Sequence, residues 1–266
     1  MADNKNSSSF AIRHRSSLLY PVTASEIEFY LHGSDSFPDM EGFWAVVRAV
    51  CEAVDIEIFN IEKERGREQH EVSLCPSTPE RTVADTIALK EIITQVAAKR
   101  EMIADFSAKP FADDFGSGLH IHLHLEDKSF DMGGKNLFYK DDERMSDELS
   151  HSIAGLLANM ADDMAVFAPS EASKARFVAG MNAPTTISWG ANNRTTALRL
   201  PDSPKTHKRI EHRVAGADAD IEQVMERILN AVKFGLKREL TPPEQIFGDA
   251  SLPMYNLPRL IANLET

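Results

Sequence analysis

Cysteine is nearly missing from this 266-residue chain, which carries only Cys51 and Cys75. Two thiols exclude a disulfide framework and a cysteine-built zinc cluster, and both read as buried thiols of a protein kept in a reducing, cytoplasmic compartment. Long apolar runs are missing too, which excludes a membrane-spanning helix. Residues 1–9 are polar and serine-rich and lack the apolar core of a signal peptide. Basic charge is in deficit, with 29 Lys and Arg against 41 Asp and Glu and a net charge of -12. A nucleic-acid partner would need a basic face, so that class is excluded. Neither a glycine-rich phosphate loop nor a kinase signature is present, and no segment repeats.

What remains is an ordinary globular composition, 42% hydrophobic and 26% charged. It is long enough for one sizeable core. Residues 1–20 read as a disordered tail and 21–266 as a single domain. Period-two alternation marks strands at 25–31, 55–61, 69–74, 103–108, 186–189, 197–200 and 209–214. Helices are expected at 42–54, with Phe43, Val46, Val47 and Val50 as the apolar stripe, and at 82–100, with Ala84, Ile87, Ala88, Ile92 and Val96. Two more are expected, at 147–166, capped by Ser146, and at 220–237. The stretch 168–184 has no clean period and reads as an extended functional loop, and the proline-rich tail from 241 as irregular. Adjacent strands with short connections favour an α+β fold over a doubly wound one, with an antiparallel or mixed sheet carrying helices.

The most informative stretch runs from Gly116 to Leu125. A glycine turn leads into alternating residues that put His120, His122 and His124 on one face and Leu119, Ile121, Leu123 and Leu125 on the other. Three imidazoles on one face point to a metal or phosphate site. Glu26 and Glu28 share a strand face, Glu71 lies in a second strand and Glu211 in a third. Carboxylates gathered on one sheet face repel one another unless a cation lies between them. An oxygen-rich set with an imidazole suits Mg²⁺ or Mn²⁺ better than zinc. Arg176, Arg194, Arg199, Arg209 and Arg213 lie in or beside the later strands and suit carboxylate or phosphate ligands. Carboxylates for cations and arginines for anions are the parts of phosphoryl transfer from ATP.

In this order and spacing the pieces resemble the catalytic domain of type I glutamine synthetases and γ-glutamyl-amine ligases. The matching runs include Glu26-Ile-Glu-Phe-Tyr30, the stretch from Glu64 to Glu71, Lys109-Pro-Phe111, Gly116-Ser-Gly-Leu-His-Ile-His122 and Gly134-Lys-Asn-Leu-Phe138. Later come Ala183-Pro184, Asn193-Arg-Thr195, Arg199-Leu-Pro201 and Arg209-Ile-Glu-His-Arg213. The resemblance implies a curved antiparallel sheet, a half-barrel, with helices packed outside. It implies that Glu28, Glu64 and Glu71 hold one divalent cation (Mg²⁺ or Mn²⁺) and Glu26, His120 and Glu211 a second. His122, His124 and Arg209 match contacts to the ATP substrate, and Arg194 and Arg199 match catalytic, phosphate-binding arginines. Gly116, Arg176 and Arg213 match contacts to the amino-acid substrate. The implied reaction is carbon–nitrogen ligation through an acyl phosphate, with a small-molecule carboxylate and an amine as substrates.

The departures lie on the amine side. Phe115 replaces the family's asparagine before the glycine turn, which holds the substrate's α-amino group. Asn182 replaces the flap glutamate of Tyr-Glu-Ala-Pro, Ala172 to Arg176 replaces Asn-Ser-Tyr-Lys-Arg, and Glu68 replaces a glycine. The family's N-terminal β-grasp domain has no counterpart in the twenty-odd residues before Glu26, which leaves a monomer, a homo-oligomer and a pair with a partner supplying that domain all open. Three readings stay open. One is an ATP- and metal-dependent ligase whose substrates need not be glutamate and ammonia. Another is a non-catalytic nucleotide- and metal-binding or regulatory homologue. The third is phosphotransfer without ligation.

Overall fold

The structure, a computed structural model, describes residues 10–140 and 145–261. In chain order its elements are β1 (Ile12–His14), β2 (Ser17–His32), α1 (Met40–Ala53), β3 (Ile58–Lys63), β4 (Gln69–Leu74), α2 (Pro79–Ala98) and β5 (Ile103–Asp105). Then follow β6 (Leu119–Glu126), α3 (Asp147–Phe167), α4 (Glu171–Ala175), β7 (Trp189–Ala191), β8 (Leu198–Leu200), β9 (Ile210–His212) and α5 (Ile221–Arg238). The nine strands make one sheet in the order β3-β4-β2-β6-β9-β8-β7, with β1 and β5 both pairing β2. All pairings are antiparallel except β7 with β8, so the sheet is mixed.

One face of the sheet is dry. Ile27, Phe29, Leu31, Val72, Leu119, Ile121, Leu123 and Leu125 bury against the helical layer in one continuous core. The other face carries the imidazoles and carboxylates, and even there His120 and His122 are buried. The expected α3 stripe of Leu149, Ile153, Leu156 and Leu157 is buried, and Ser146 caps the helix by accepting from Leu149 N at 3.1 Å. Helix α3 crosses α5 with backbones in contact. A Cβ on Gly235 would lie 2.0 Å from the His151 carbonyl oxygen, and one on Gly155 2.2 Å from that of Ala231.

Several expectations are corrected. Residues 10–20 are not part of a tail. β1 pairs with the start of β2, and Ile12 and Leu19 join the core, while residues 1–9 lie outside the described residues. Strand β2 begins eight residues before the expected start and runs through Pro21, which pairs opposite Leu125. The stripes of α1 and α2 are rotated. α1 buries Phe43, Val47 and Cys51 and exposes Val46 and Val50; α2 buries Thr82, Val83, Thr86, Leu89 and Ile93 and exposes Ile87. The reason in α2 is polar. Thr82 and Thr86 turn toward the sheet to bond Thr23 at 2.9 Å and Ser25 at 2.7 Å, satisfying hydroxyls on the dry face. The stretch 168–184 contains α4, fixed by a capping box between Ser170 and Ser173. Cys51 is buried as expected, but Cys75 is only half-buried. Among the described residues, no helix is long and apolar enough to cross a membrane.

Candidate active site

Register brings the acidic and imidazole residues together. β2 sits between β4 and β6, so Glu28 stands opposite Glu71 and Glu26 opposite His120. On the next strand His122 stands opposite Glu211, and beyond it Arg199 stands opposite Glu211. Side chains directly opposite on one face are within about 4.5–5.5 Å at Cβ, and like charges placed so are unfavourable. The acidic pair Glu28 and Glu71 thus costs the cation-free fold stability.

Two groups result. Ligand atoms of Glu28, Glu64 and Glu71 lie within 4.8 Å of one another. Glu64 comes from the turn after β3. Beside them, His120 Nδ1 lies 3.4 Å from Glu26 Oε2 and 3.8 Å from Glu211 Oε1. That nitrogen is buried and makes no hydrogen bond in the protein. An orphaned imidazole nitrogen facing two carboxylates is the donor set a hard divalent cation accepts, so the residues fit such ions. Glu28 is held by the glycine turn, accepting from Gly118 N at 2.7 Å. A Cβ at Gly118 would lie 2.7 Å from His120 Nε2, which explains a residue without a side chain there.

His122 is set differently from His120. Arg209 Nε donates to its Nδ1 at 2.9 Å. The ring proton therefore sits on Nε2, which lies 2.8 Å from Glu26 Oε1 but, like His120 Nδ1, is buried without a hydrogen bond. His124 pairs with Glu126 at 3.1 Å. His122, His124 and Arg209 line one end of a cavity of about 370 Å³ whose apolar walls include Val22, Phe59, Leu74 and Pro76.

The arginines divide. Glu211 is fully buried, and each of its oxygens takes a guanidinium, Arg199 Nη1 at 2.7 Å and Arg213 Nη1 on the other. Arg213 also donates to the Asn182 carbonyl oxygen at 2.9 Å. Arg176 is 3% exposed and donates to the Val214 and Ala215 carbonyls. A Cβ at Gly116 would lie 2.3 Å from its Cγ. Glu28, Glu64, Phe115, Gly116, His120, Arg176 and Asn182 line a tight cavity of about 10 Å³. Arg194 stands apart. It is exposed and lines a separate cavity of about 80 Å³ with Asn182, Thr185 and Asp249.

The electrostatics follow the partners. Burial raises the Glu71 pKa, and Glu26, Glu28 and Glu64 raise it further, to about 10. Burial and then Glu28 push Glu64 up. Burial opposes ionisation of Glu26 too, but His122 and His120 outweigh it and hold that carboxyl well below its usual range. Burial is likewise overcome at Glu211, chiefly by Arg213, leaving a pKa of about 2. Burial lowers Arg176 to about 10.

The description "Glutamine synthetase, catalytic domain" matches residues 28–264. This chain belongs to the glutamine synthetase catalytic-domain family. Among its relatives is the gamma-glutamylputrescine synthetase PuuA of Escherichia coli, 32% identical over 260 residues, covering 87% of this chain and 54% of that protein. The glutamate–isopropylamine ligase of a Pseudomonas species is 30% identical over 222 residues, covering 82% and 48%. Glutamine synthetase of Thermotoga maritima is 30% identical over 225 residues, covering 82% and 50%. The chain thus spans about half the length of these curated relatives. A solved structure described as a GmaS/ADP complex superposes with a TM-score of 0.79 at 23% identity, over 92% of this chain and 62% of that one. The fold is α+β and glutamine synthetase catalytic-domain-like, with an open mixed sheet.

Sequence reasoning missed the residues that hold the site's loops. Arg67, Gln69, Tyr30 and Asp114 bond across the turns that carry Glu64 and Gly116. Their partners are far apart in sequence and leave no periodic signal.

Proposed function

We propose that this chain is an ATP- and divalent-cation-dependent carboxylate–amine ligase of the glutamate–amine type, working in the cytoplasm. One observation carries the reading. Two groups of cation-fitting side chains meet beside Arg199 and Arg213 on one sheet face: Glu28–Glu64–Glu71, and a second around Glu26, which closes with Glu71 and His120 and also with His122 and Glu211, while His120 Nδ1 faces both Glu26 and Glu211. The family, and the names of relatives that join glutamate to amines, support it. In the reaction a γ-carboxylate oxygen attacks the γ-phosphorus of ATP, the bond to ADP breaks and an acyl phosphate forms. The amine nitrogen then attacks the acyl carbon, phosphate leaves and the nitrogen gives up a proton.

The chain's own residues have these parts. Glu28, Glu64 and Glu71 would hold one cation, and Glu26, His120 and Glu211 the other. When bound, Mg²⁺ or Mn²⁺ supplies positive charge to the transferring phosphoryl oxygens. Arg199 and Arg213, pinned on Glu211, present guanidinium groups that need not reorganise. His122, His124 and Arg209 bind the nucleotide in the 370 Å³ cavity. Arg176 and the Gly116 backbone orient the carboxylate substrate, while Arg194, on its separate cavity, takes no part in this arrangement. Phe115 removes a polar contact to the amino-acid substrate's α-amino group, and Asn182 removes an anionic group from the amine side. An alkyl amine therefore suits the site better than a small ammonium held by charge.

The test is phosphate release from ATP with Mg²⁺ or Mn²⁺ against a panel of carboxylates and amines. Release that needs both partners supports ligation; release with the carboxylate alone points to phosphotransfer. A second reading, nucleotide and metal binding without turnover, is favoured by one contact. The Asn182 carbonyl occupies Arg213, a group a substrate carboxylate would need. No release, with ATP still raising the melting temperature, would establish it.

A further inference from the structure

We propose that Arg67 is a positioning residue that locks the turn carrying Glu64 against the turn before Gly116, so that cation binding and carboxylate binding are coupled. This rests on the cation-site reading above. Of the three carboxylates Glu28, Glu64 and Glu71, two are fixed by strand pairing, Glu28 opposite Glu71. Glu64 alone stands on a turn, closed by its own N–H on the Gln69 carbonyl at 2.8 Å. Its acidic neighbours disfavour it there, and the one local contact to its carboxylate is the Arg65 N–H, donated to Oε2 at 3.2 Å.

The restraint comes from the far side of the turn. Arg67 Nε and backbone N both donate to Asp114 Oδ2, at 2.9 and 3.1 Å, and Arg67 Nη2 donates to Asp113 Oδ1 at 3.1 Å. The guanidinium lies 4.5 Å from the centre of the Phe111 ring. Asp114 Oδ1 in turn accepts from Phe115 N at 2.8 Å. Gln69 Nε2 donates to the Gly116 carbonyl at 3.0 Å, and Tyr30 donates to that of Phe115 at 2.8 Å. The two turns therefore move as one body. A planar fork is needed to reach two carboxylates while stacking on a ring, which arginine supplies and lysine does not. Arg67 is half exposed and touches no cation-holding side chain, so it acts through Glu64 and Gly116.

Mn²⁺ alone is titrated calorimetrically into the full chain and into Arg67→Ala, Arg67→Lys and Asp114→Asn. The expected result for Arg67→Ala is Mn²⁺ binding weakened about tenfold at one of two sites, in the range of losses seen when groups that orient metal ligands are removed. Asp114→Asn should lose a similar factor, and Arg67→Lys should recover part of it. The cation-free melting temperature should fall only about 2–4 °C, as for an exposed ion pair. The KM for L-glutamate should rise with the Mn²⁺ constant while the KM for ATP, bound at the other end of the face, stays within about twofold. Mn²⁺ affinity of Arg67→Ala within about twofold of wild type overturns the proposal alone. Failure of the wild-type chain to bind Mn²⁺ overturns the cation-site reading and the proposal with it.

Discussion

Glu71 and Glu211 belong to one acidic cluster but are stabilised by opposite means, and replacing each by glutamine separates them. Glu71 is buried among Glu26, Glu28 and Glu64, and its pKa of about 10 keeps it protonated at neutral pH without a cation. Glu71→Gln therefore removes no buried charge and ends the cost of keeping that carboxyl protonated, so at neutral pH the variant should be no less stable than the wild type. Glu211 is ionised between Arg199 and Arg213. Glu211→Gln leaves two guanidinium groups facing a neutral amide. Removing one partner of a buried pair costs about 3–5 kcal/mol. At about 2–4 °C per kcal/mol for chains of this size, the melting temperature should drop by roughly 6–20 °C. The pH dependence also differs in sign. The folded pKa of Glu71 lies above its ordinary 4.5, so its contribution is fully present below that value and is lost as pH rises toward 10. Glu71→Gln flattens that decline. The folded pKa of Glu211 lies below 4.5, so its contribution is present above that value and is lost as pH falls toward 2. Mn²⁺ should stabilise the wild type increasingly from about pH 5 to pH 9, because it replaces the Glu71 proton, and should stabilise Glu71→Gln less and without that rise, through the group around Glu26 and His120 alone. The assay is differential scanning calorimetry across that range with and without Mn²⁺. Equal losses for the two variants, or Mn²⁺ stabilisation of Glu71→Gln that rises with pH as in the wild type, would refute the reasoning.

Two further outcomes are expected. Gly235→Ala puts a methyl group against the His151 backbone oxygen at the α3–α5 crossing, and should cost about 1–3 kcal/mol through overpacking, measured by urea titration; an unchanged midpoint would contradict the close approach. Asn182→Glu with Phe115→Asn restores the family's residues and should raise use of ammonia while lowering use of alkyl amines. Because Asn182 sits at φ +58°, the glutamate adds a backbone cost of about 1–2 kcal/mol. An unchanged amine preference in the product assay would show that these positions do not set it.

The site was more legible in the sequence than the way the fold supports it. Histidines two apart on β6 and glutamates two apart on β2 declare a face by alternation alone, and the structure puts Glu26 opposite His120 on it. Alternation made His120, His122 and His124 equivalent, and only the partners distinguish them. Arg209 takes Nδ1 of His122, while His120 Nδ1 is left without a hydrogen bond. The early part of β2 was hidden because Pro21 usually argues against a central strand and because Thr23 and Ser25 place hydroxyls on the dry face. Those hydroxyls also explain the rotated α2 stripe, since a helix that answers polar groups in the sheet does not present its most apolar side. The Arg67–Asp114 contact joins residues 47 positions apart on two turns. Turns have no period, so nothing local announces that contact.

The most direct test of the account is isotope transfer. The chain is incubated with ATP, Mg²⁺, an alkyl amine and glutamate labelled with ¹⁸O in its γ-carboxylate, and phosphate and amide are analysed by mass spectrometry. The account predicts one ¹⁸O in each released phosphate and one amide formed per phosphate, because the carboxylate oxygen leaves with the phosphoryl group. Unlabelled phosphate formed without amide would contradict it, since water rather than the carboxylate would then be the nucleophile.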